Sequence, residues 1–232
     1  MSQSPKQRPF LASLFMSLPV IFGGMLIVAI AILLLLSQIG GTASGERLQI
    51  RLVSSCAETA APLISARMES IGLGEPELAI EGEEITIVAT MPGNDDDRTD
   101  IPQLLSQTGA FTATHQDVEV LSSADLEDAG LDFDDSGMPM TALTLEADVT
   151  QTLTERLKAD STGEMLLMLD GKLLARRPNA KYIEDQTVQI ISGEGLTEVR
   201  MKRAIDRAIL IKHGPLPCPV SVVGVANAEA PR

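Results

Sequence analysis

A chain of 232 residues with a formal net charge of −14, 3% aromatic residues and no Trp is poorly equipped to hold nucleic acid or to stack bases and sugars. Its cores have to be built from Leu, Ile, Val, Met and Ala. The charge is also unevenly placed: all 32 acids follow residue 45, with 16 of the 18 Lys and Arg, so that part carries −16. Such a surface repels anionic lipid heads and favours solubility or cationic partners, the plainest reading being a solvated acidic face.

Residues 1–16 read as a cytoplasmic leader, with Lys6 and Arg8 and no acid. The stretch 17–39 contains Leu18–Ser37, twenty residues without a charge, long enough to cross a bilayer as one helix. It exceeds the apolar run of a signal peptide, and "GGTASG" after it is a poor cleavage site, so an uncleaved anchor is expected. The positive-inside rule then keeps the amino terminus in the cytoplasm and puts the remainder outside.

That remainder repeats one order of elements. From 47 to 122, "RLQIRLV" alternates as a strand and "ETAAPLISARMESIG" follows as a helix, with Leu63, Ile64, Met68 and Ile71 at helical spacing and Gly72 as its stop. Two strands pivoting near Glu81 and Gly82, a helix "TDIPQLLSQTG" and a strand "AFTATHQDVEV" complete a β-α-β-β-α-β series. Residues 123–138, with Asp125, Glu127, Asp128, Asp132, Asp134 and Asp135 and no base, read as an acidic linker. From 139 to 224 the series recurs: the strand "TALTL", the helix "ADVTQTLTERLKA", a hairpin around Asp170-Gly171, the strand "TVQIIS", the helix "LTEVRMKRAIDRAILIK" and the strand "PVSVVG". In that last helix Met201, Ile205, Ala208 and Ile209 are the expected buried face, with Arg200, Lys202, Arg203 and Arg207 in water. Three strands stand between the two helices where the series needs two, the third being read as an edge hairpin. Residues 225–232 form a tail. The fold class expected is α+β, one transmembrane helix followed by two ferredoxin-like lobes.

Asp-Gly supplies the two positive φ angles of a type I′ hairpin, so Asp170 and Gly171 read as structural, with an exposed tip. "DFDDSG" matches the first half of a calcium loop through Asp132, Asp134, Ser136 and Gly137, but its twelfth position is Leu143 where a Glu is required. The acids of "NDDDRTD" read as a solvated turn opening a helix. His115 and His213 have no ligand-spaced companions, and no nucleophile motif or phosphate loop occurs. No catalytic residue, metal ligand or cofactor site is therefore assigned. Cys56 and Cys218 admit a disulfide in an oxidising exterior compartment, and two buried thiols that never meet remain the alternative.

The segment from Leu157 to Val223 resembles the head of the first periplasmic domain of SecD, the protein-export auxiliary. The resemblance rests on Gly163 before an apolar strand, Asp170 and Gly171 in a D-G-K hairpin, Pro178 after it, Gly193 and Glu198 at a helix start, and Gly214, Leu216, Pro217 and Pro219 in a terminal "G-x-L-P-x-P" strand. The SecD base is resembled more faintly, through Arg67, Gly72, Glu75, Pro76, Pro92 and Gly93. The family's "G-L-D-L-x-G-G" strand is replaced by "RLQIRLVSS", and the chain stops shortly after the last strand, where SecD continues into transmembrane helices. The resemblance implies a base-like lobe at 47–122 and a head-like lobe at 139–224. It further implies a single-pass protein of the bacterial inner membrane with a periplasmic carboxy-terminal domain. Its partners would be the membrane, polypeptide clients, and SecY, SecF or a separately encoded SecD membrane part, with no nucleic acid, no cofactor and no enzymatic activity. A non-catalytic envelope scaffold or assembly adaptor is the alternative.

Overall fold

A computed structural model describes residues 47–73, 76–90, 95–159, 163–178, 183–184 and 186–228. All lie in one compact unit, Gly45–Arg232. The anchor expected at 17–39 and its leader lie outside the described residues, as do Glu75, Pro92 and Gly93. No helix among the described residues is long and apolar enough to cross a membrane.

Strand β1 (Arg47–Ser54) turns Leu48, Ile50, Leu52 and Ser54 inward, as the two-residue period of a pleated strand requires. Helix α1 (Ala57–Ile71) buries Ala57, Ala60, Ala61, Ile64, Arg67 and Met68 on one stripe. It stops at Gly72, whose φ of +83° turns the chain so that Leu73 N–H reaches the Met68 carbonyl at 3.3 Å. A hairpin follows, β2 (Glu77–Glu81) and β3 (Glu84–Thr90), then α2 (Asp95–Ser106).

The expected single strand at 110–120 is two: β4 (Phe111–His115) and β5 (Val118–Ser122) reverse about Gln116 and Asp117, with φ of +51° and +61°. Two consecutive left-handed residues make the tight type I′ reversal without any glycine.

The expected acidic linker is also ordered. After a 3-10 turn at Ser123–Asp125, capped reciprocally by Ser122 and Asp125, β6 (Leu126–Phe133) pairs antiparallel with β7 (Pro139–Leu145). In β6 only Ala129 is buried. As an edge strand it is joined by its backbone and needs few apolar side chains, so its composition resembles a loop. Asp134 spends Oδ1 on the N–H groups of Ser136 and Met138, both at 2.8 Å, which shapes the β6–β7 turn.

Helix α3 (Ala147–Ala159) occupies its expected span and buries Leu153 and Leu157. Then come β8 (Glu164–Leu169), β9 (Lys172–Pro178), the two-residue β10 (Ile183–Glu184), β11 (Thr187–Ile191), α4 (Thr197–His213) and β12 (Val220–Asn227).

Among the described residues the strands form three four-stranded sheets, in the orders β12-β1-β3-β2, β10-β11-β7-β6 and β5-β4-β8-β9. The fold is mixed α+β, but its sheets do not follow the consecutive stretches 47–122 and 139–224. Strand β12 pairs with β1, Leu48 opposite Asn227 and Ser54 opposite Val220, and β8 pairs with β4, Leu169 opposite Phe111. Alternation tells which face of a strand is apolar but not which strand lies beside it.

One core lies between the first sheet and helices α1 and α2, with Ile50, Leu52, Ile64, Ile87 and Leu105 at its centre. The other joins the remaining sheets to α3 and α4 through Phe111, Leu143, Leu167, Val188 and Ile209. Helix α4 buries Ala208 and Ile209 as expected, but its buried stripe is turned away from Met201 and Ile205. Ala204, Ala208, Ile209, Leu210 and Ile211 are buried while Ile205 is exposed. The two alanines let the helix approach β7 closely enough for Thr141 Oγ1 to donate to the Ala204 carbonyl at 3.1 Å.

Candidate functional site

The β8–β9 hairpin turns on Asp170 and Gly171, with φ of +50° and +72° and Leu169 paired to Lys172. These are the angles of a two-residue type I′ loop. Its tip is not wholly exposed: Asp170 N–H donates to the Ala110 carbonyl at 2.9 Å, and Asp170 Oδ1 accepts from Ala110 N–H at 2.8 Å. The hairpin is thereby docked on the strand that precedes it in the sheet.

Next to this dock lies Arg67, a guanidinium with no exposed surface. Nη1 donates to the Gln107 carbonyl at 2.6 Å, and Nη2 to the Thr108 and Gly214 carbonyls, both at 2.8 Å. Those carbonyls follow the ends of α2 and α4, where helices leave acceptors unpaired and carry partial negative charge. Two helix termini thus solvate one buried cation. Burial brings the Arg67 pKa down to about 10, opposed by the charge of Asp170. Gly109, at φ +82°, closes the loop over the guanidinium, and a Cβ there would lie 2.6 Å from Arg67 Nη2 and 2.9 Å from the Leu210 carbonyl oxygen.

Of the other residues carrying the resemblance, Gly163 packs against the buried His115 ring, leaving no room for a side chain. Gly214 bears one of the Arg67 acceptors, and Leu216 is buried in the first core with its N–H on the Thr108 carbonyl at 2.8 Å. Pro178 closes β9. Gly193 has φ +75°, and Pro217, Pro219 and Glu198 are exposed. Cys56, at the amino end of α1, and Cys218, just before β12, are joined by a disulfide. Among the described residues no three His, Cys, Asp or Glu side chains gather as metal ligands.

The open surface lies at β12. Among the described residues this strand has a neighbour on one side only, β1. A bulge at its centre sets Leu52 opposite Val222 and Arg51 opposite Gly224, so that Val223 is unpaired and 54% exposed. The extra residue shifts the alternation, and Val220, Val222, Val225 and Asn227 then share one face with Leu48. With Pro102, Gln103 and Ser106 of α2 they line a groove of about 790 Å³. A second edge strand, β9, presents Lys172, Arg176 and the half-exposed Leu173. The sequence shows β12 as an ordinary apolar strand; neither its bulge nor its edge position has a signal there. The gathering of Arg67, Gly109 and Gly214 is likewise visible only in three dimensions.

No family model matches the chain. It is 28% identical over 164 residues to the protein translocase subunit SecD of Acidaminococcus fermentans, covering 69% of this chain and 37% of that protein. It is 26% identical over 192 residues to SecD of Leptotrichia buccalis, covering 79% and 45%. The chain therefore spans less than half the length of these relatives. A crystal structure of SecDF in a super-membrane-facing form superposes with a TM-score of 0.64 at 20% identity, covering 77% of this chain and 30% of that one. A structure of SecDF, described as a membrane component that enhances protein export, superposes with a TM-score of 0.60 at 20% identity, covering 78% of this chain and all of that one. In sequence and in fold, this chain is SecD-like.

Proposed function

We propose that this chain is an accessory factor in protein export, anchored by residues 17–39 and holding translocating polypeptide on the outer side of a bacterial inner membrane. The observation that supports this most is the open β12 edge beside its valine-lined groove. An extended segment can add to such an edge through main-chain hydrogen bonds, which any sequence supplies, while the groove takes alternate side chains. That chemistry suits a client defined by being unfolded rather than by a motif. The work is binding, without bond making or breaking. SecY, SecF or a separately encoded SecD membrane part are the partners proposed for it.

Photo-crosslinking side chains placed at Val223, and at Lys172 and Arg176 on the β9 edge, test this in membranes actively exporting a radiolabelled preprotein. Capture at Val223 above that at the exposed Glu58 of α1 is expected, together with SecY or SecF in detergent extracts. Equal labelling at Val223 and Glu58 overturns the proposed surface. Absence of every Sec component from the extracts turns the reading toward an envelope adaptor.

A further inference from the structure

Helical spacing puts Met201, Ile205, Ala208 and Ile209 on one stripe of α4, yet the fold covers only part of it. Ala208 and Ile209 are buried, Met201 is half-buried, and Ile205 is 37% exposed. The uncovered end of the stripe forms one wall of a groove of about 430 Å³, with Ile71 at the end of α1 and Ile101 and Leu104 of α2 opposite. It shares no residue with the groove beside β12.

The rim of this groove is acidic. Among the described residues Asp100, Glu198 and Asp206 border it against one cation, Lys202. Lys202 Nζ stands between the two helices, 3.6 Å from Asp100 of α2 and 3.8 Å from Asp206 of α4. Both separations are too long for a direct hydrogen bond, and the three side chains keep 33–53% of their surface in water. Exposed pairs of this kind contribute up to about 1 kcal/mol, so an incoming cation can replace the lysine at little cost. Lys202 therefore marks a place where positive charge is favoured beside an apolar floor. An anionic partner is disfavoured there, in a chain whose net charge is already −14.

We propose that this groove docks a polypeptide segment in which Lys or Arg follows one or two branched apolar residues. The apolar side chains seat against Ile101, Met201 and Ile205, and the cation displaces Lys202 from Asp100 and Asp206. The site stands whether or not the chain acts in export.

The test is calorimetric titration of the full chain in detergent at low salt with N-acetyl-leucyl-leucyl-lysinamide and two relatives. One has glutamine in place of the lysine, the other serines in place of the leucines. Saturable binding of the lysine peptide is expected. The glutamine peptide should bind about three- to five-fold more weakly, as loss of an exposed ion pair requires, and the serine peptide about ten-fold or more. Added salt should narrow the gap between the lysine and glutamine peptides. Lys202→Gln removes the internal competitor, so it should tighten the lysine peptide by about two- to three-fold and leave the glutamine peptide unchanged. Ile205→Ser, at an exposed position, should weaken both. Equal binding of the lysine and serine peptides would reduce the contact to charge attraction and overturns the proposal. So does the absence of saturable binding, a lysine peptide weakened by Lys202→Gln, or equal affinity of 3-methylbutylamine, which would make the ligand a free amine. Comparison of the peptides on the unaltered chain needs no variant to fold.

Discussion

Arg67 Nη2 donates to the carbonyl of Gly214, 147 residues further along the chain. This bond and those to Gln107 and Thr108 tie α1 to the ends of both α2 and α4. Arg67→Met keeps much of the volume but takes the side-chain donor from the Gln107 and Gly214 carbonyls and one of two donors from Thr108, whose carbonyl also accepts from Leu216 N–H. The expected loss is about 3–5 kcal/mol, read as a lower urea midpoint. Arg67→Lys should cost less yet remain well below wild type, because one ammonium cannot reproduce a planar fork. A midpoint unchanged in Arg67→Met would show that the helix ends are held by other means.

Gly163 and His115 are coupled by contact, since a Cβ at 163 would overlap the imidazole. The ring is buried, so it has little freedom to yield. Gly163→Ala alone should destabilise by about 1–3 kcal/mol, as over-packing does. Paired with His115→Ala, which removes the obstruction, the same substitution should cost markedly less than its single-variant value, a non-additivity that a double-mutant cycle measures. Additive losses would mean that the two residues do not meet.

Local chemistry in the sequence accounts for much of the fold. The Asp170-Gly171 turn, the span of α3 and the stop of α1 at Gly72 are each set within a few residues, by left-handed φ angles or helical spacing. What is not legible is decided over long separations. The pairing of β1 with β12 and of β4 with β8 depends on which strands the cores bring together. Strand β6 reads as an acidic linker because an edge strand with one buried side chain has the composition of a loop. Half of the α4 face, Ala208 and Ile209, is legible from helical spacing, whereas Ala204 carries little hydrophobic signal although its small size helps admit the sheet. Arg67 stands out in the sequence only through the family resemblance, and nothing in its neighbourhood along the chain reveals that its acceptors lie 40, 41 and 147 residues away.

The disulfide between Cys56 and Cys218 closes a loop with a sequence separation of 162 and pins the start of α1 to the approach of β12. Constraining so long a loop in the unfolded chain is worth up to about 4–5 kcal/mol on the entropic view. Cys56→Ser with Cys218→Ser should therefore lower the unfolding midpoint substantially, and dithiothreitol should reproduce the effect on wild type while leaving the double variant unmoved. If the reductant shifts both proteins equally, or neither, the bond does not contribute in this way.

His213, at the end of α4, shares a 2.7 Å hydrogen bond between Nε2 and Ser70 Oγ. Burial lowers its pKa from the ordinary 6.5, the charges of Arg67 and Lys212 lower it further, and Glu69 opposes them. Above pH 6.5 the imidazole is neutral in both the folded and the unfolded chain, and its full contribution is present. As the pH falls below that value the unfolded chain takes up its proton first, so stability declines until the folded imidazole is protonated too. Glu84 and Asp128, whose pKa values are held down chiefly by Arg51 and Lys212, add losses in more acid solution. The informative quantity is therefore the difference between wild type and His213→Gln. Between pH 7.5 and pH 5 wild type should lose more of its urea midpoint than the variant, which cannot titrate at this position; parallel losses in the two proteins would place the pH sensitivity elsewhere.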